Sequence, residues 1–184
     1  MKKFRGAFIK NEREISLLRE ANRMVANILD AIEDVVRPGV PTMRFEELAR
    51  DMCAQYKVKP AFLGYCGYPF ALCCSVNEEV VHGFPSTRLL QEGDIVSIDM
   101  GVVYEGFVGD AARTFAVGEV SDEAKRLMRV TEDALYAGIA EAHAGNDVYA
   151  IGAAVQRMVE AAGFHVVRRF VGRGVGAKKQ EKPG

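Results

Sequence analysis

An α+β fold follows from three features of the 184-residue sequence. Four stretches repeat apolar residues at helical spacing, two long apolar runs meet at a tight turn, and a helix–helix–strand order occurs twice, offset by 106 residues. The composition, 49% apolar and 27% charged, is that of an ordinary soluble domain with a substantial core. A net charge of −1 supplies no global attraction to nucleic acid, so no DNA partner is expected. Residues 1–5 are basic but no apolar stretch follows them, and nothing approaches the ~20 apolar residues of a membrane span. The expectation is a cytoplasmic protein without membrane contact. The cysteines at 53, 66, 73 and 74 show no CxxC spacing and read as buried thiols of a reducing compartment.

The elements follow in order. Ile15, Leu18, Ala21, Val25, Ile28, Leu29 and Ile32 recur at helical spacing and predict a helix over 12–36, which Pro38-Gly39 ends. Thr42 is the expected N-cap of a second helix reaching 55. Residues 71–76 and 80–82 read as short strands, and 94–117 as a hairpin. Ser121 caps a third helix to about 142; a fourth runs from 147 to about 162, closed by Gly163. Residues 164–171 read as a strand, followed by Gly172, Gly174, Gly176 and a polar end. In the repeat, Gly39 maps to Gly145, Phe45 to Ile151 and Met24 to Val130. Two related halves are expected, the second incomplete, because the counterpart of Asp99 would fall at about position 205.

The chemistry concentrates on the hairpin. With Tyr104 and Glu105 as its turn, Asp99 would lie directly opposite Asp110, on one side of the sheet. Opposed like charges are unfavourable, and more so in an apolar setting. A divalent cation held by oxygen ligands between them is the simplest remedy; two solvated carboxylates on an exposed face are the alternative. His82 taken alone reads as a structural histidine, and His143 and His165 carry no claim to chemistry. The glycines at 172, 174 and 176 lack the Lys-Ser/Thr ending of a phosphate loop. The basic tail reads as a solvated surface, or as one able to touch ribosomal RNA.

Four stretches together carry a family signature: Gly64-Tyr65-Cys66-Gly67-Tyr68-Pro69; residues 75–85, through Asn77-Glu78-Glu79 and His82-Gly83; Asp94 to Gly101 with Gly109-Asp110; and Phe170-Val171-Gly172-Arg173-Gly174-Val175-Gly176. Their order and content strongly resemble type I methionine aminopeptidase, the short bacterial form, from about residue 8 to the end. The stretch through His82 separates it from the prolidase and creatinase relatives that share the "pita-bread" fold.

The resemblance implies that fold, as a single domain over 1–184 lacking the family's C-terminal hairpins. It implies removal of the initiator methionine from nascent polypeptide N-termini by a hydroxide shared between two divalent ions (Co, Mn, Fe or Zn). Asp99 matches a ligand of one ion and Asp110 a bridge between both, while His82 matches the catalytic histidine that contacts substrate near the scissile bond. Phe62, Tyr65 and Cys66 fall in the region resembling the methionine side-chain pocket. Two replacements depart from the pattern. Arg173 stands where the family has a ligand histidine, and arginine has no lone pair to give. Gln180 stands where a second histidine assists the transition state, and glutamine cannot supply a proton. The family's two glutamate ligands lie beyond position 184. Impaired or absent turnover is therefore expected. The alternative is a non-catalytic paralogue that binds peptide N-termini, the ribosome or another subunit. An unpaired sheet edge would also favour self-association.

Overall fold

The computed structural model describes residues 2–4, 7–169, 174–178 and 181. Its contacts divide the chain into two units, one built from 1–120 with 173–184 and the other from 121–172.

In the first unit, strands β1 (Lys2–Phe4) and β2 (Ala7–Ile9) form a small antiparallel pair. Helix α1 (Glu12–Glu33) opens with a reciprocal cap: the Asn11 side chain accepts from the Glu14 amide, and the Glu14 carboxylate accepts from the Asn11 amide, both at 2.9 Å. Its inward face carries Ala21, Met24, Val25, Ile28, Leu29 and Ile32, the spacing expected of an amphipathic helix. Helix α2 (Met43–Tyr56) follows, but Thr42 does not cap it. Its hydroxyl instead donates to the Ser86 carbonyl at 3.1 Å and accepts from the Ser86 amide at 2.9 Å, tying a distant loop to the helix start.

The sheet is antiparallel, with β5 (Ile95–Tyr104) at its centre. β6 (Phe107–Ala116) lines one edge of it; β4 (Leu72–Val76) and the short β3 (Lys59–Pro60) share the other. The start of β4 is fixed by a buried carboxylate. Glu46 of α2 accepts the Ala71 amide at 2.8 and 2.9 Å and the Leu72 amide at 3.2 Å, and pairs with Arg50 at 2.5 Å. Leu72, Cys74, Val76, Val96, Ile98, Met100, Val102 and Phe115 form one face of the sheet and are buried in a single core with the inward faces of α1 and α2. Glycine is required at 109, where an added Cβ would stand 2.5 Å from the Ala21 carbonyl carbon of α1.

The hairpin exists, with its register moved by two residues. The turn is Glu105-Gly106, both left-handed at φ 48° and 81°, the requirement of a tight two-residue turn. Asp99 therefore pairs with Ala112, and Asp110 with Gly101. Residues 80–82 are not a strand: Asn77 and His82 take left-handed backbones, which end extended pairing on either side of this loop.

The second unit is a helical hairpin. α3 (Asp122–Glu141) is capped by Ser121, whose hydroxyl accepts from the Ala124 amide at 3.1 Å, and α4 (Val148–Ala161) by Asp147, which accepts from the Tyr149 amide at 2.8 Å. The helix pairs have 22 and 14 residues in the first unit and 20 and 14 in the second, each with a left-handed glycine (39 or 145) at the junction, as the repeat predicts. Residues 164–169 form no strand. Phe164 lies instead under the Arg126 guanidinium at 4.8 Å, and Arg126 also donates to the Ala162 carbonyl at the end of α4. No helix among the described residues is long and apolar enough to cross a membrane.

Candidate active site

The sheet face turned away from α1 and α2 is small and polar. Cys73 and Ser75 of β4, Ser97, Asp99 and Gly101 of β5, and Asp110, Ala112 and Thr114 of β6 share it. Because the register moved by two residues rather than one, both carboxylates stay on this face. They are diagonal neighbours rather than opposed, with Cβ atoms somewhat under about 7–8 Å apart, a separation one ion can span. Both are half-buried. Cys73 lies directly opposite Asp99 on the other neighbouring strand, and Ser97 and Thr114 bond across the hairpin at 2.8 Å.

Phe62 reaches the same ground. It is 3% exposed, and a Cβ added at Gly101, directly opposite Asp110, would stand 3.1 Å from its ring. Glycine at 101 thus makes room for an aromatic wall beside the aspartates. Tyr65 and Cys66 lie on the short 3-10 turn Tyr65–Gly67 and are exposed, Cys66 with a left-handed backbone at φ 51°. Cys66 departs from the expectation of four buried thiols, because this turn projects its residues outward; Cys53, Cys73 and Cys74 are buried, and no cysteine is disulfide-bonded. Burial pushes the Cys53 thiol up to about 11 and that of Cys74 up to about 12, nearby Glu46 and Glu79 adding to the rise.

His82 is exposed and left-handed at φ 59°, a backbone that costs about 1–2 kcal/mol in a residue with a Cβ. The next residue is strapped to β4: the Gly83 amide donates to the Ser75 hydroxyl and its carbonyl accepts from the Cys74 amide. The Tyr68 hydroxyl lies 3.0 Å from both the Leu72 and Gly83 carbonyls. Burial and a bond to the Cys73 thiol raise its pKa, so it remains a donor. Arg173 and Gln180 lie outside the described residues.

Sequence reasoning missed Cys73, Gly101 and the anchors Ser75 and Tyr68. Serine at 75 and cysteine at 73 alternate with apolar neighbours and so mark the face, but only the strand pairing sets Cys73 beside Asp99.

The donor set is short for a metal centre. Among the described residues no group of three or more His, Cys, Asp or Glu could hold an ion, and none of the remaining residues is of those four types. Two carboxylates supply at most four oxygens, while hard and borderline cations take about four to eight ligands each. The residues present therefore do not fit a fully held pair of ions.

Comparison with known proteins places the chain. The model of metallopeptidase family M24 matches residues 16–184. A methionine aminopeptidase of Clostridium acetobutylicum is 44% identical over 176 residues, covering 95% of this chain and 70% of that protein. Methionine aminopeptidase 1 of Bacillus subtilis is 42% identical over 174 residues, with the same coverage. The crystal structure of methionine aminopeptidase from Thermotoga maritima superposes with a TM-score of 0.94 at 42% identity, covering 96% of this chain and 71% of that one. A Xaa-Pro dipeptidase from Bacillus anthracis shares the fold at a TM-score of 0.84 and 24% identity, covering 96% of this chain and 48% of its own. The mixed helices and antiparallel sheet are those of the pita-bread fold, and M24 membership implies divalent metal use. The chain belongs to metallopeptidase family M24 and, within it, to the methionine aminopeptidases, which are metal-dependent hydrolases.

Proposed function

We propose that the polar sheet face is built to remove N-terminal methionine from nascent polypeptides in the cytoplasm, and that this chain does so at or near background. The relatives named methionine aminopeptidase support the reaction. The observation that carries the impairment is the donor set: among the described residues no group of three His, Cys, Asp or Glu is arranged to share an ion with the two carboxylates. Asp99 and Asp110 are the residues that would hold an ion, which if bound would supply Lewis acidity for peptide hydrolysis. Phe62, with Tyr65 and Cys66 on the neighbouring turn, would receive the methionine side chain, since an aromatic wall suits a thioether. His82 would meet the peptide near the bond to be cut.

Co, Mn, Fe and Zn are all candidates, because carboxylate-rich sites discriminate weakly among them. The test is methionine release from a Met-led peptide with each metal added. Background release that Asp99→Ala leaves unchanged is expected. Robust metal-dependent release abolished by Asp99→Ala would overturn the impairment.

Arg173 and Gln180, in place of family histidines, favour a second reading: a non-catalytic protein that binds peptide N-termini, the ribosome or another subunit. Preference for Met-led over Gly-led peptides without cleavage supports it, and equal binding of the two removes it. Self-association is read separately, by sedimentation velocity across a range of concentrations.

A further inference from the structure

The loop that carries His82 is tied to the sheet on both sides of the histidine. Val80 and Val81, which precede His82, are 64% and 44% exposed, so apolar burial does not fix the loop. Its first end is tied by the Glu79 carboxylate, which accepts from the Val76 amide at 2.8 Å. Its last end is tied through the backbone of Gly83 and the ring of Phe84. The Gly83 amide belongs to the His82–Gly83 peptide plane, and it donates to the Ser75 hydroxyl at 3.1 Å. Holding that plane fixes ψ of His82. The Gly83 carbonyl accepts from the Cys74 amide at 2.9 Å and from the Tyr68 hydroxyl at 3.0 Å. The approach is so close that a Cβ on Gly83 would stand 2.3 Å from the Cys74 carbonyl oxygen. Behind it, the ring of Phe84 packs edge-on against Tyr68 at 5.3 Å and against Phe70 at 5.5 Å. A left-handed backbone in a residue with a side chain persists only where its surroundings over-determine it.

We infer that Ser75 and Tyr68 are positioning residues for His82, their hydroxyls holding Gly83 so that the preceding histidine keeps its left-handed backbone and a fixed outlook over the polar face. The inference rests on the proposed function for its purpose, but its test does not use turnover. The chain has three histidines, so the ring resonances of His82 are separable from those of His143 and His165 by comparison with His82→Asn.

The experiment is NMR of the full chain with labelled histidine and glycine, in Ser75→Ala, Tyr68→Phe, the double variant and Ser75→Thr. In Ser75→Ala the His82 ring signal shifts and broadens, and the Gly83 amide exchanges about tenfold faster. Tyr68→Phe gives a smaller change of the same kind, the double variant a larger one, and Ser75→Thr restores the parent signal. His143, His165 and the α1 amides stay as they were. Tyr68→Phe removes one oxygen only, so the inference remains testable if Ser75→Ala does not fold. An unmoved His82 signal with unchanged Gly83 exchange in Tyr68→Phe and in any folded Ser75 variant overturns the positioning role. Failure of Ser75→Thr to restore the signal overturns the part assigned to the Ser75 hydroxyl. A Met-led peptide titration separates the two readings: a parent His82 signal that never responds to peptide removes the proposed function and leaves the positioning result standing.

Discussion

The two faces of the β4–β5–β6 sheet are made by the same residues taken alternately, and they have opposite purposes. On one side Ile98, Met100 and Val102 are wholly buried beneath α1 and α2. On the other, Asp99 and Asp110 are half-buried among serine, threonine, cysteine and glycine. The first face fixes the strands; the second uses the positions so fixed to set two carboxylates, an aromatic wall and an anchored histidine loop together. The proposed function would place the chemistry on the polar face, where fewer apolar side chains are buried.

The sharpest way to break this comparison is to damage the core face. Ile98→Ala should cost about 2–5 kcal/mol, read as a lowered midpoint in urea unfolding. Glu46→Ala should cost about 2–4 kcal/mol by leaving the Ala71 and Leu72 amides buried without a partner. It should also loosen β4, and with it the place of Cys73 opposite Asp99. Gly109→Ala forces a Cβ into the α1 backbone, and Gly101→Ala forces one against the Gly109 carbonyl oxygen and the Phe62 ring; each should cost about 1–3 kcal/mol. On the polar face, Asp99→Asn should move stability by less than about 1 kcal/mol, since it removes one of two neighbouring like charges. A large destabilisation by Asp99→Asn would mean that this face is structural after all.

The buried thiols give a pH test of the core face. Their folded pKa values are raised, to about 11 for Cys53 and about 12 for Cys74, so the neutral form is favoured in the folded state. Their contribution is complete below the unfolded thiol range near pH 8.5–9 and is lost as pH rises from there through the folded values. Melting temperature should be flat between pH 7 and about 8.5 and fall above it, with a shallower fall in Cys74→Ala. An equal alkaline slope in that variant would contradict the assignment.

Much of this was readable from residue pattern. Helical periodicity placed α1 to α4 within a few residues, and alternation along 95–103 and 106–117 found the hairpin and its polar side. The register was not legible, because Tyr104-Glu105 and Glu105-Gly106 are both possible turns by length. The requirement for two left-handed residues decides for the pair containing glycine. The Thr42 side chain could not be assigned locally, since its partner is Ser86, 44 residues away. Residues 80–82 are apolar enough to read as a strand, but Asn77 and His82, which prevent it, are left-handed; Asn77 bonds Asp94, and Gly83, next to His82, bonds Ser75 and Cys74 of β4. For Thr42 and for residues 80–82 the missing information was a long-range contact; for the hairpin it was local turn chemistry.

The most direct test of the account is calorimetric titration of the metal-stripped chain with Mn(II) or Co(II), beside Asp99→Ala/Asp110→Ala. Weak or absent binding, little changed in the double variant, is the predicted result, because two carboxylates alone hold a divalent ion poorly. Tight binding that disappears in the double variant would contradict it and show that the polar face still assembles a working metal centre.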